Sequence, residues 1–126
     1  MSSLSFGKEQ KLCSKKEIDS LFQKGKGFVE YPLKVIYNET TESDSNAKVL
    51  ISVPKRRFRK AVSRNRIKRL IRESYRHSKN ELIENWSVNG KYFALAFVYI
   101  GKDVPHYANL NAAMQAALNN LKSLNQ

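Results

Sequence analysis

Nine residues in a row, Tyr92 to Ile100, make the longest apolar run in the sequence. A membrane-spanning helix needs ~20 such residues, and a strand with one wet face would alternate, so the run reads as a strand buried on both faces. Other segments pack around it. Residues 12–24 predict a short helix, with Ser14 as N-cap, Glu17 three positions on as in a capping box, and Ile18, Leu21 and Phe22 on one side. Gly25 and Gly27 end it. From Tyr31 to Tyr37 the pattern is extended: Leu33, Val35 and Tyr37 share one face, Lys34 and Ile36 the other. The polar stretch Glu39 to Asn46 predicts a long hairpin loop, and Val49, Leu50, Ile51 and Val53 predict a strand ending at Pro54. Asn109 to Leu124 carries Leu110, Ala113, Met114, Ala117, Leu118 and Leu121 at helical spacing. Helix, strands, helix, strand, helix is the order of an α/β sandwich with helices against a small sheet.

The helix not yet described, residues 61 to about 79, carries the functional signal. Plotted at about 100° per residue, Ile67, Leu70, Ile71, Ser74 and Tyr75 fall on one arc, while Arg64, Asn65, Arg66, Lys68, Arg69, Arg72 and Arg76 cover the rest. One stripe packs and the opposite surface is cationic. The chain holds 23 Lys and Arg against 11 Asp and Glu, a net charge of +12. Between Lys55 and Lys79 twelve basic residues stand against one acid, Glu73, so nearly all of that charge is local. A concentrated patch on an otherwise neutral domain is the footprint of a protein that grips phosphates at a fixed place. Charge alone leaves three partners open: nucleic acid, an anionic membrane surface and acidic proteins.

Placement narrows the choice. A membrane-surface helix would keep an apolar face free for insertion, whereas this helix's apolar arc is committed to a core. The start of the chain interrupts any signal-like apolar segment with Lys8, Glu9 and Lys11, so a cytoplasmic location is expected. Cys13 is the single cysteine; it has no second thiol for a disulfide or a zinc site, which fits a reducing compartment. No carboxylates converge in the sequence, and His77 and His106 stand far apart, so no catalytic residue and no protein-bound metal is expected. A length of 126 residues with 41% hydrophobic and 27% charged residues suits one folded domain.

The string Lys60-Ala61-Val62-Ser63-Arg64-Asn65-Arg66-Ile67-Lys68-Arg69-Leu70-Ile71-Arg72-Glu73 resembles the RNR signature of the bacterial ribonuclease P protein. It follows a strand ending Ile51-Ser52-Val53-Pro54-Lys55-Arg56, and Leu12, Phe22 and Gly25 also fit the family's spacing. The resemblance covers roughly residues 9–122, so residues 1–126 are expected to be a single RNA-binding domain with flexible ends. It implies an α+β fold, a single-domain α/β sandwich in the order αβββαβα, with a left-handed βαβ crossover, similar to a ribosomal-protein domain. It also implies ribonuclease P RNA as partner in a 1:1 complex with a monomeric protein. Precursor tRNA is the implied substrate, and Mg²⁺ is required by the RNA subunit.

Two sets of site residues follow from the resemblance. Lys55, Arg56, Lys60, Arg64, Asn65, Arg66, Lys68, Arg69 and Arg72 are expected to face RNA, because guanidinium groups bridge phosphate oxygens. Ile18, Phe22, Ile36 and Tyr37 are expected to line a cleft for the single-stranded 5′ leader, where stacking tolerates any base. The sequence departs from the family in two places. Ile18 stands where relatives often carry an aromatic residue, and Arg56-Arg57-Phe58-Arg59 is bulkier than the glycine-containing turn common there.

Overall fold

The computed structural model describes residues 15–41 and 45–125. Its elements are α1 (Lys15–Lys24), β1 (Lys26–Glu30), β2 (Leu33–Glu39), β3 (Ala47–Ser52), α2 (Ala61–Ser78), α3 (Asn80–Asn89), β4 (Phe93–Tyr99) and α4 (Tyr107–Lys122), closed by a short 3-10 turn, Ser123–Asn125. The expected N-cap at Ser14, together with Leu12, Cys13 and the chain's first residues, lies outside the described residues.

The four strands lie in the order β1-β2-β4-β3, with β4 antiparallel to β2 and parallel to β3. The apolar run therefore occupies an interior strand with neighbours on both sides. The expected hairpin between β2 and β3 is not formed: the two strands are not neighbours, because β4 lies between them. The start of β4 is stitched to both flanks, since Thr40 N–H donates to Tyr92 O (2.7 Å) and Phe93 N–H donates to Asn46 O (2.9 Å). A polar stretch between two strands suggests a hairpin only if nothing more apolar competes for the place between them, and here β4 does.

Side-chain alternation splits β4 into two faces. Phe93, Leu95, Phe97 and Tyr99 join the main core under α2, α3 and α4, with Leu33, Val35, Val49, Ile67, Ile71, Tyr75, Trp86 and the α4 stripe. Ala94 and Ala96 face the other way, against Leu21 of α1, with Ile18, Ile36 and Leu50 beside them. All six residues of the α4 stripe are buried, and in α2 the expected arc is buried at Ile67, Ile71, Ser74 and Tyr75. Ser74 is accommodated because its hydroxyl donates to Asn111 Oδ1 at 2.8 Å.

Two elements go beyond the order read from pattern. β1 pairs antiparallel with β2 as an edge strand, from Lys26↔Tyr37 to Glu30↔Leu33. α3 follows α2 after Lys79 alone and places Trp86 against Phe93, ring centroids 4.3 Å apart. It ends at Gly90, whose φ of 65° is the left-handed conformation that favours glycine, and whose N–H returns to Ser87 O. The fold is thus a mixed α+β domain of four strands and four helices, with α3 added to the expected order.

Candidate nucleic-acid interface

The cationic surface begins where β3 ends. From Pro54 the chain makes a turn in which the N–H groups of Arg57 and Phe58 both donate to Pro54 O, at 3.2 and 3.3 Å. Phe58, in the middle of this basic turn, points inward: it is 8% exposed, and its ring lies 5.8 Å from that of Tyr99. Lys55, Arg56, Arg59 and Lys60 are left exposed around it. The aromatic residue in a run of cations is an anchor, a role the sequence reading did not assign to it; a lone apolar residue amid charges was the available signal.

α2 continues the surface. Asn65, Arg66, Arg69 and Arg72 are exposed along the helix and Lys68 is half-buried, while Val62 at its first turn is 79% exposed among them. The helix has no acid in its first turn, and its N-cap, Lys60, makes no side-chain capping bond. Helix N-termini carry partial positive charge and ordinarily attract carboxylates. Here cations crowd that end, an arrangement that an external anion would relieve. The ion pairs Lys91–Glu39 (3.5 Å) and Lys122–Glu81 (3.7 Å) involve neither α2 nor the turn before it.

Arg64 behaves differently from its neighbours. Its Nη1 donates to two successive carbonyls, Phe58 O and Arg59 O, both at 2.8 Å. Arg57, itself exposed, also spends Nη1 on a carbonyl, Ile100 O at 3.1 Å. At the far end of α2, Arg76 Nε is buried with no hydrogen-bond partner, and burial, with Arg76 as a lesser cause, lowers the Lys79 ammonium below the ordinary lysine value.

A cleft lies on the α1 side of the sheet. It encloses 330 Å³ lined by Phe22, Gly25, Gly27, Val29, Lys34 and Ile36, among others. Phe22 is 47% exposed although it is a large aromatic, and it opens onto this cleft beside Gly25 and Gly27. Gly25 lets α1 close onto β2; a Cβ there would strike Leu21 O and Ile36. Ile18 of α1 and Ile36 of β2 both pack against Leu21, Ala94 and Ala96, but Tyr37 does not join them. Alternation sends its ring to the opposite face, 6.1 Å from Phe28 and 6.4 Å from Phe93, where it lines a separate hollow of 300 Å³. One row on from Ile36, Lys34, Val98 and Ser52 stand opposite one another and carry the cleft side of the sheet toward the basic turn.

A third hollow, 380 Å³ between α2, α3 and α4, is lined by His77, Asn80, Glu81, Gln115, Asn119 and Lys122 and contains no Phe, Tyr or Trp side chain. Among the described residues, no three of His, Cys, Asp and Glu gather as a metal site would require, and no helix is long and apolar enough to cross a membrane.

The ribonuclease P family profile matches residues 6–122. The ribonuclease P protein component of Porphyromonas gingivalis is 39% identical over 112 residues, 88% of this chain and 82% of that protein. That of Chlorobium phaeobacteroides is 33% identical over 129 residues, 94% and 88% of the two chains. The chain belongs to the ribonuclease P protein family. Solved structures of family members share its fold: the RNase P protein of Staphylococcus aureus has a TM-score of 0.72 at 19% identity, covering 90% of this chain and 95% of that one. The Thermotoga maritima RNase P protein has a TM-score of 0.67 at 22% identity, covering 90% and 96%. As a ribonuclease P protein component it is part of a ribonucleoprotein endoribonuclease of tRNA processing, with an RNA partner.

Proposed function

We propose that this ribonuclease P protein binds the catalytic RNA through the basic turn and the exposed side of α2, and the 5′ leader of precursor tRNA through the cleft beneath α1. The single observation that carries the reading is the unbalanced cationic surface running from Lys55 to Arg72, with Glu73 the only acid between Lys55 and Lys79. Lys55, Arg56, Lys60, Arg66, Lys68, Arg69 and Arg72 neutralise phosphates crowded by the RNA fold, and Asn65 supplies a donor and an acceptor to ribose or base. Phe22, with Ile36 and Ile18 beside it, offers an open aromatic face at which one leader base stacks. Lys34 and Lys26, on the same cleft, meet its phosphates.

The chemistry belongs to the RNA and its Mg²⁺ ions; the polypeptide supplies affinity and positioning. Removal of the leader removes the cleft's share of the binding, so the mature tRNA leaves. The working assembly is one monomeric protein per RNA, in the cytoplasm.

The test is cleavage of a precursor tRNA at low Mg²⁺ by the ribonuclease P RNA of the same source, alone and with the protein. The wild-type protein is expected to stimulate cleavage at the mature 5′ end. Arg56→Gln combined with Arg66→Gln is expected to abolish the stimulation. Phe22→Ala is expected to weaken binding of leader-bearing substrate about tenfold, in line with ~1–3 kcal/mol for a stacked base, and to leave mature tRNA binding unchanged. No stimulation by a folded wild-type protein would overturn the assignment to the RNA. Equal affinity for substrates with and without a leader would remove the cleft's role.

A further inference from the structure

We propose that Arg64 is a positioning residue: together with Phe58 and Arg57 it locks the Lys55–Lys60 turn into the shape that presents its outward cations to RNA. The proposal rests on the RNA-binding reading above and divides the labour within the patch. Arg64 spends Nη1 on two backbone carbonyls of the turn, Phe58 O and Arg59 O, each at 2.8 Å. Those carbonyls precede it by six and five residues, so the contact closes the turn back onto the first coil of α2.

The turn is folded in its first half by backbone bonds, where the Arg57 and Phe58 N–H groups donate to Pro54 O. It contains no glycine, and no non-glycine residue among those described has a positive φ, so ordinary backbone angles alone would allow many shapes. Three side-chain contacts choose one. Phe58 is buried against Tyr99, Arg57 reaches Ile100 O, and Arg64 takes the two carbonyls between them. Beyond its backbone bonds to Pro54 O, this turn is held by side chains from outside. The cations not used in the lock, Lys55, Arg56, Arg59 and Lys60, are all exposed. A turn already held in the binding shape loses less conformational freedom when RNA arrives, which is the general benefit of preorganisation.

Arginine suits this task and lysine does not, because a planar guanidinium meets adjacent carbonyls with fixed N–H directions while an ammonium is a point charge. That distinction gives the experiment. Arg64→Lys, Arg64→Gln, Arg66→Lys, Arg66→Gln and Phe58→Leu are compared for affinity to ribonuclease P RNA across a salt series. The free proteins are compared for trypsin cleavage after Arg56, Arg57 and Arg59. Arg64→Lys and Arg64→Gln are both expected to weaken binding about tenfold and to speed cleavage in the turn. Phe58→Leu, which changes no charge, is expected to do the same more weakly. Arg66→Lys keeps the charge, so it should keep the wild-type salt slope and the protection of the turn. Arg66→Gln should lose about 0.7 to 0.9 in the slope of log affinity against log salt, with the turn still protected. An Arg64→Lys protein that binds as wild type, beside an Arg64→Gln protein that loses only one phosphate's salt dependence, would make Arg64 a phosphate contact and sink the proposal. Failure of the wild-type protein to bind the RNA would instead sink the functional reading on which it rests.

Discussion

The two faces of β4 differ in what they carry and in what covers them. Toward α2, α3 and α4 the strand presents Phe93, Leu95, Phe97 and Tyr99, each nearly or wholly buried. Toward α1 it presents Ala94 and Ala96, covered by one ten-residue helix through Leu21. The large side chains fill a thick layer that holds the fold together. The alanines keep the other layer thin, so α1 sits close to the sheet while Phe22, at its edge, stays half in water. A single strand thus separates a structural face from a binding face by the period of two alone.

The largest effect should come from emptying the thick face. Phe97 is wholly buried, its ring 5.6 Å from that of Tyr75. Phe97→Ala is expected to cost about 3 to 5 kcal/mol in urea unfolding, because the cavity it leaves is walled by helices and sheet that cannot collapse far. A loss below ~1 kcal/mol would mean that the face repacks and is not the fold's main support.

Overfilling the thin face should cost less and act locally. Ala96 stands between Ile36 and Leu50 in register and beneath Leu21. Ala96→Leu forces α1 away from the sheet, at about 1 to 3 kcal/mol as overpacking usually costs. Amide exchange should accelerate in residues 15–24 and stay slow in β4 and α4, and leader-dependent affinity should fall with it. Uniform acceleration throughout the chain would show that the two faces unfold as one unit and that their energetic separation is wrong.

This division was partly legible before any coordinates. Tyr92–Ile100 announced a strand covered on both sides, and the α2 and α4 stripes were read residue by residue, because strong periodicity follows from burial on one face. Weakly patterned elements were not legible. β1, an edge strand with a glycine and exposed alternate positions, offers no apolar row. α3 buries only Leu82 and Trp86, too few to mark a helix, and with no breaker after α2 it merged with the space before β4. The insertion of β4 between β2 and β3 is a tertiary choice that local polarity does not encode. The candidate sites show the same limit. Charge placed the α2 cations on one surface, whereas the hydrogen bonds of Arg64 and Arg57 depend on carbonyls that no sequence pattern displays. Tyr37 was grouped with Phe22 and Ile36 although alternation separates Ile36 from Tyr37, and the structure puts them on opposite faces.

The last predicted effect depends on pH and concerns the thick face again, through its phenols. Burial raises the Tyr75 hydroxyl well above the ordinary tyrosine value, and burial, with Tyr31 and Asp103 as lesser causes, pushes Tyr99 up to about 12. A phenol held above its ordinary value of 10.0 contributes stability that is complete below that pH and is lost as pH rises through the folded value. Lys79, lowered mainly by burial, acts with the opposite sign: its contribution grows as pH rises toward the ordinary 10.5. Stability should therefore climb gently on the alkaline side up to about pH 10 and then fall by about 1.4 kcal/mol per pH unit for each buried phenol. Urea midpoints measured from pH 8 to pH 11.5 would trace that turnover. Tyr99→Phe should lower stability at pH 8, since its hydroxyl donates to Asp103 O, yet make the fall above pH 10 shallower. An unchanged alkaline slope in Tyr99→Phe would mean that water reaches this edge of the thick face through Tyr31 and the Gly101–Asp103 loop. The contrast between the faces would then end one row short of where the packing now puts it.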